Sequence, residues 1–168
     1  MKIDLYPCFE HWKEFNNIFV YSDPHFTDLE MVFLRKNYIG DEEQVWRINS
    51  VVGKKDVIIF LGDIGNVEWI KKVRGYKILV MGNHDSGKTN YQRAKFINDY
   101  NPTKPAVVDN HLFDEVYDGV LTINDKILLS HEPINIPFMF NIHGHDHSGI
   151  ETQKDGLHLN VCAEHIDY

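Results

Sequence analysis

The chain has 168 residues, enough for a domain with its own apolar core, and 43% hydrophobic with 25% charged residues is ordinary globular composition. A formal charge of −8 excludes the broad basic surface by which many proteins hold nucleic acid through phosphate neutralisation. Cys8 and Cys162, only two, far apart and in no CxxC-type spacing, argue against a disulfide framework or a thiolate metal site and read as small buried hydrophobes.

The opening residues MKIDLYPCFEHWKEF scatter charges among apolar residues, and no run of about 18 apolar residues occurs, so the chain reads as cytoplasmic with no membrane contact. No repeat or linker divides it, and residues 1–168 read as one domain. Ten histidines are the one compositional oddity, roughly double average usage.

In chain order, Ile18 to Tyr21, Val57 to Leu61 and Lys77 to Met81 are short, β-rich and almost free of polar residues, as buried parallel strands are. Helices are expected between them. Thr27 with Glu30 forms a capping box for a helix carrying Leu29, Val32 and Phe33. Asp41 opens a second helix with Val45, Ile48 and Val52 on one face. Asn66 caps a third, bearing Val67 and Ile70 and stopping at Gly75, and Asn90 opens a fourth with Tyr91, Ala94 and Ile97. Beyond about Tyr100 the pattern turns to strands. Gly119 to Ile123 and Lys126 to Ser130 flank a hairpin turn at Asn124-Asp125, and Phe138 to His143 and Leu157 to Val161 are extended, predicting a mostly antiparallel or mixed sheet.

Each buried strand of the first half ends in polar residues that a turn does not require: Ser22-Asp23-Pro24-His25, Gly62-Asp63 and Gly82-Asn83-His84-Asp85. Ligands bind beyond the carboxyl ends of parallel strands, so these endings converge on one site. The later strands add Ser130-His131 and His143-Gly144-His145-Asp146-His147. Carboxylates, an amide and imidazoles without thiolate suit divalent transition metals.

Taken together, DPH at Asp23 to His25, GD at Gly62 to Asp63, GNHD at Gly82 to Asp85, His131, and GHDH at Gly144 to His147 resemble the calcineurin-like metallophosphoesterase superfamily over about Ile18 to His147. GNHD and GHDH are the most specific of these blocks.

The resemblance implies a compact member without a cap domain: an α/β (α+β) four-layer αββα sandwich, with two facing mixed β-sheets flanked by helices. It implies one metal held by Asp23, His25, Asp63 and His147, and a second held by Asp63, Asn83, His131 and His145, with Asp63 bridging. A carboxylate has an oxygen for each ion, and an Asn carbonyl is a neutral donor. Manganese is the expected ion, with Fe, Zn, Ni or Co as the other candidates. The implied reaction is hydrolysis of phosphodiesters, and of phosphomonoesters as well, by attack of a metal-bridging hydroxide. Two divalent ions against Asp23, Asp63 and that hydroxide leave the pocket at about +1, which reconciles an acidic protein with an anionic substrate. His84 corresponds to the non-ligating catalytic histidine, with Asp85 orienting its imidazole.

The expected partner is a small phosphate ester, with nucleotides or nucleic-acid ends among the candidates.

Two departures from the superfamily pattern occur. Pro24 lies between the first two ligands, where it would restrict Asp23, and Asn66 replaces an Asp and serves as a helix cap. Outside the motifs, His11, His111, His158 and His165 read as structural or surface residues, and His143 as the end of a strand.

Two other functions compete. Gly82 to Thr89, GNHDSGKT, satisfies the P-loop pattern of a nucleoside triphosphatase, but no downstream apolar run ends in a second Mg²⁺-binding Asp. A non-catalytic interaction protein on the same fold is the third reading, against which the intact ligand positions and His84 stand.

Overall fold

The computed structural model describes residues 6–35, 37–85, 112–149 and 156–168. The expected helix opened by Asn90 lies outside the described residues.

Four strands form the first sheet in sequential order: β1 (Ile18–Tyr21), β2 (Val57–Phe60), β3 (Tyr76–Val80) and β4 (Glu115–Tyr117), all parallel. The three strands expected in the first half are therefore present to within a residue, while β4 was not among the expected strands. Against one face of this sheet pack α2 (Asp41–Val51), which follows α1 (Leu29–Leu34) between β1 and β2, and a 3-10 helix, Val67–Lys72, between β2 and β3.

The alternation along β2 shows what each face buries. Ile58 and Phe60 pack with Val45, Ile48, Val67 and Ile70 of the helical layer. Val57, Ile59 and Leu61 turn the other way and meet Leu121, Ile123 and Leu129 of the second sheet. Two-sided burial is why these strands read as unbroken apolar runs.

The second sheet holds β5 (Leu121–Ile123), β6 (Ile127–Ser130), β7 (Phe140–His143) and β8 (His158–Asn160). The hairpin is as expected: β5 and β6 are antiparallel, and Asn124 and Asp125 adopt φ of 56° and 54°, the left-handed pair of a type I′ turn. From β6 through β8 the pairing is parallel, so the sheet is mixed. The molecule is thus an α+β sandwich of two four-stranded sheets, as the resemblance implied, although only the second sheet is mixed and the first is wholly parallel.

Three local expectations are corrected. Asp28, not Thr27, caps α1, its Oδ1 accepting the Glu30 N–H at 3.0 Å. Thr27 is diverted because its hydroxyl donates to Asp41 Oδ2 at 2.8 Å. The apolar residues of α1 do not enter the core: Leu29 is 73% and Phe33 88% exposed, because the helix ends after six residues and only its C-cap residue, Arg35, is buried. Asn66 caps as expected, accepting the Glu68 N–H at 3.1 Å, but the helix it opens is 3-10 rather than α. A six-residue segment in this tighter form still buries Val67 and Ile70.

Candidate metal centre

The carboxyl ends of β1, β2 and β3 in one sheet and of β6 and β7 in the other meet at one edge of the sandwich. From β1 come Asp23 and His25, from β2 Asp63, from β3 Asn83 and His84, from β6 His131, and from the turn after β7 His145 and His147. The turns after β1 and β2 are zipped by backbone bonds from Asp23 to Gly62, His25 to Asp63, and Phe26 to Ile64. Behind β8, Ser22 exchanges backbone bonds with Val161 and Ala163, which brings the C-terminal segment against Asp23.

Four of the expected ligands hold left-handed backbone: Asp23 (φ 55°), His25 (45°), Asp63 (52°) and His145 (67°). Such values are uncommon for non-glycine residues and are kept only where surroundings over-determine them. Asp23 is the clearest case, because a residue before proline prefers extended φ. The restriction expected from Pro24 is therefore overridden. The Asp23 N–H donates to Gly62, its carbonyl accepts from Arg35 Nη2 at 2.7 Å, and its Oδ2 accepts from Ser22 Oγ at 2.5 Å and from the His145 N–H at 2.9 Å. His145 and His147 stand in a turn, since β7 ends at His143.

Two glycines make this crowding possible. A Cβ on Gly144 would run into Ser22 Oγ and Asp23 Oδ2, and one on Gly82 into Asp63 Oδ1. Close backbone approach, rather than flexibility, is their role.

Around the first expected metal position, Asp23, His25 and Asp63 are buried. His25 Nδ1 donates to Asp28 Oδ2 at 3.1 Å and His147 Nδ1 to Glu164 Oε1 at 2.5 Å. A carboxylate only accepts, so both Nε2 atoms keep lone pairs. They face carboxylate oxygens: His147 Nε2 is 3.5 Å from Asp23 Oδ1, and His25 Nε2 is 3.8 Å from Asp23 Oδ1 and 3.6 Å from Asp63 Oδ2. Asp23 Oδ1 and His25 Nε2 are buried without a hydrogen-bond partner.

The second position repeats the pattern. His131 Nδ1 donates to the Leu61 carbonyl at 2.8 Å, leaving the Nε2 lone pair facing Asn83 Oδ1 at 2.7 Å, His145 Nδ1 at 3.1 Å and Asp63 Oδ2 at 3.4 Å. Electron-pair donors gathered this closely repel one another unless a cation lies among them. Ligands about 2.0–2.2 Å from an ion lie roughly 3–3.5 Å from each other, the spacing found here. The residues fit metal binding, and two compact donor groups occur among the described residues, Asp23 with Asp63 and His131, and Asp23 with His147 and Cys162.

Protonation is set by the surroundings. Burial lowers the His25 imidazole below its ordinary pKa despite Asp23 and Asp63, keeping it neutral. Burial also pulls on His147, but the Glu164 hydrogen bond and the Asp23 charge outweigh it, and its pKa is raised. Burial would raise Glu164, yet His147 and Arg35 bring it below the usual range.

His84 stands at the open side, its side chain 59% exposed, with Nε2 4.0 Å from Asp63 Oδ2 and its ring centroid 5.6 Å from that of His25. Its own N–H donates to Asp63 Oδ1 at 2.9 Å. Asp85 is placed differently from expectation: its carboxylate faces the backbone, accepting the N–H groups of Asp63, Ile64 and Gly82 at 2.8, 3.1 and 2.9 Å. It anchors the ligand loops. His143 is buried, its Nδ1 donating to the Gly144 carbonyl at 2.9 Å, and it does not reach the donor clusters through any described contact. Of the P-loop-like stretch, residues 86–89 lie outside the described residues.

Asp28, Arg35, Cys162 and Glu164 lie outside the motifs and are not legible as site residues in the sequence: Asp28 stands three residues after His25, and the other three meet the site through the fold alone. Cys162, read as a small hydrophobe, is buried and donates its Sγ–H to Asp23 Oδ2 at 3.3 Å. Burial, then Asp23, pushes its thiol pKa up, so it remains a donor.

Among the described residues no helix is long and apolar enough to cross a membrane. No curated protein matches the chain. A crystal structure of the protein of unknown function AQ665 from Aquifex aeolicus is similar in fold: 24% identical, TM-score 0.60, covering 91% of this chain and 94% of that one. The family model described as calcineurin-like phosphoesterase matches residues 17–161, and the donor sets lie within that span. By this match across most of its length, the chain belongs to the calcineurin-like phosphoesterase family, whose members are metal-dependent hydrolases of phosphate esters.

Proposed function

We propose that the chain hydrolyses phosphodiesters, with phosphomonoesters as a secondary class, using two divalent transition-metal ions, manganese foremost. The observation that carries this reading is the pair of donor clusters, in each of which electron-pair donors face one another at distances that suit a shared ion, with Asp63 common to both. Asp23, His25, Asp63 and His147 would hold one ion, and Asp63, Asn83, His131 and His145 the other. When bound, such a pair supplies Lewis-acid activation of water and neutralises charge on phosphoryl oxygens.

The chain's own groups supply the rest. Partly buried contacts with Asp28 and Glu164 hold the His25 and His147 protons on Nδ1, aiming the Nε2 atoms inward. The Asn83, His84 and His145 side is open to solvent, so substrate enters there. His84, over that opening, is the group placed to donate a hydrogen bond to the phosphoryl oxygens or a proton to the departing alkoxide. A site exposed at Asn83, His84 and His145 suits generic aryl phosphodiesters as well as nucleotides or nucleic-acid ends, the latter engaged at the metal pair rather than along a basic groove.

The test is a panel of Mn²⁺, Fe²⁺, Zn²⁺, Ni²⁺ and Co²⁺ added to metal-free protein, crossed with aryl monoester, aryl diester and cyclic nucleotide substrates. Diester turnover that requires added ion, highest with Mn²⁺, is expected. Metal binding with no turnover of any phosphate ester would favour a non-catalytic role, and ATP hydrolysis abolished by Lys88→Ala would favour the nucleoside triphosphatase.

A further inference from the structure

Arg35 and Glu164 belong to none of the motifs, yet they link two of the three turns that make up the first metal position, those after β1 and β7. Glu164 Oε1 accepts the His147 Nδ1–H at 2.5 Å, and its Oε2 is 3.4 Å from Arg35 Nε. Arg35 Nη2 donates to the Asp23 carbonyl at 2.7 Å. Both are enclosed, with side-chain exposures of 3% for Arg35 and 16% for Glu164. The connection runs from the turn after β1, through the C-cap of α1, to the C-terminal 3-10 helix Ala163–His165 and back to the turn after β7.

We propose that Glu164 and Arg35 are positioning residues that fix His147 as an Nε2 ligand, so that the first metal position is completed by the C-terminal turn of the chain. The proposal rests on the metal-dependent function of the same site. The reasoning is one of tautomers. An imidazole can carry its proton on either nitrogen, and only the Nδ1–H form leaves Nε2 free to donate a lone pair to an ion. Two groups meet His147 Nδ1: the Glu164 carboxylate, which accepts and cannot donate, at 2.5 Å, and Arg35 Nη2, a donor, at 3.4 Å. The much shorter Glu164 contact selects the Nδ1–H form and holds the ring with Nε2 3.5 Å from Asp23 Oδ1.

Arg35 completes the arrangement. Its charge balances the enclosed carboxylate, and its second bond pins the Asp23 backbone in the left-handed conformation that aims the other ligand. Because Arg35 and Glu164 cancel in charge, they set geometry without changing the net charge that the phosphate ester meets. His131 lacks this backing, since its Nδ1 donates to the neutral Leu61 carbonyl. Loss of Glu164 should therefore act on one metal position and spare the other.

The experiment reads the His147 tautomer by long-range ¹H–¹⁵N correlation in metal-free protein at about pH 9, well above the ordinary histidine pKa, and Mn²⁺ binding by calorimetry. Wild type should show Nδ1–H. Glu164→Ala should shift His147 towards Nε2–H and weaken one of two Mn²⁺ binding steps by about 10–100-fold, leaving the other within about threefold. Glu164→Gln, whose amide oxygen still accepts, should restore both readouts most of the way. An Nε2–H tautomer in wild type overturns the proposal without any variant. So does an alanine variant that keeps the wild-type tautomer or weakens both steps equally, and so does a glutamine variant as impaired as the alanine one. If wild type binds no Mn²⁺ at all, the metal-dependent function falls, while the tautomer comparison still decides whether Glu164 orients His147.

Discussion

Asp85 stands directly behind Asp63: one carboxylate oxygen accepts the Asp63 N–H at 2.8 Å together with the Gly82 N–H at 2.9 Å, and the other accepts the Ile64 N–H at 3.1 Å. A single buried charge thus ties the turn after β2 to the turn after β3. Asp85→Asn should destabilise the metal-free protein by about 2–4 kcal/mol, because an amide cannot accept at both ends and buried N–H groups are left unpaired. Chemical denaturation checks this. Were Asp85 mainly an orienter of the His84 imidazole, the unfolding midpoint would stay put and only turnover would fall.

Asp63 lies 3.6 Å from His25 Nε2 and 3.4 Å from His131 Nε2, so it addresses both donor clusters. Asp63→Ala is expected to abolish binding at both positions, whereas Asn83→Ala should spare the first. Each should cost more in metal-dependent activity than the 10–100-fold typical of residues that merely orient a ligand. Metal content by elemental analysis, alongside diesterase rates, decides. Full activity in either variant would sink the proposed function.

For His84, exposed and joined to Asp63 through its backbone rather than its ring, a different signature is expected. His84→Ala should lower kcat by about 10²–10⁴-fold, the range for a lost proton donor, with two ions still bound. Substrates with good leaving groups should suffer least. A parallel loss of metal would instead mark it as a ligand.

The close approach at Gly144 gives a test of backbone geometry. A methyl there meets Ser22 Oγ and Asp23 Oδ2 together, both enclosed, so neither can step aside. Gly144→Ala should displace Asp23 and reduce affinity at the first metal position more than at the second, measurable by sequential Mn²⁺ titration.

Away from the site, Asp56 accepts the Gly53 N–H at 2.8 Å and the Asn17 amide at 2.9 Å, and these bonds hold its carboxyl below the usual aspartate range. A depressed folded pKa fixes the sign: the stabilisation is present above the unfolded value and is lost as pH falls through the folded one. Thermal unfolding of metal-free protein measured from about pH 6 to pH 3 should therefore show a shallower acid loss in Asp56→Asn than in wild type. Equal slopes would contradict the assignment.

The residues alone determined whatever is encoded locally. Strands buried on both faces appear as unbroken apolar runs, as in Val57–Phe60, and the polar residues that end them announce a site whichever way the strands later pair. The capping by Asn66 and the hairpin at Asn124-Asp125 were legible for the same reason, since each depends on neighbours a few residues away. The fold alone decided the rest. Thr27 lost its capping role to a distant Asp41, the apolar residues of α1 stayed outside the core, and β6 through β8 paired in parallel. Tertiary contacts also turned Asp85 towards backbone and placed Glu164 and Arg35 against His147, which lies 17 residues from the first and 112 from the second. Those contacts join segments that no local pattern links, and so only the packed sandwich brings these residues to the expected metal ligands.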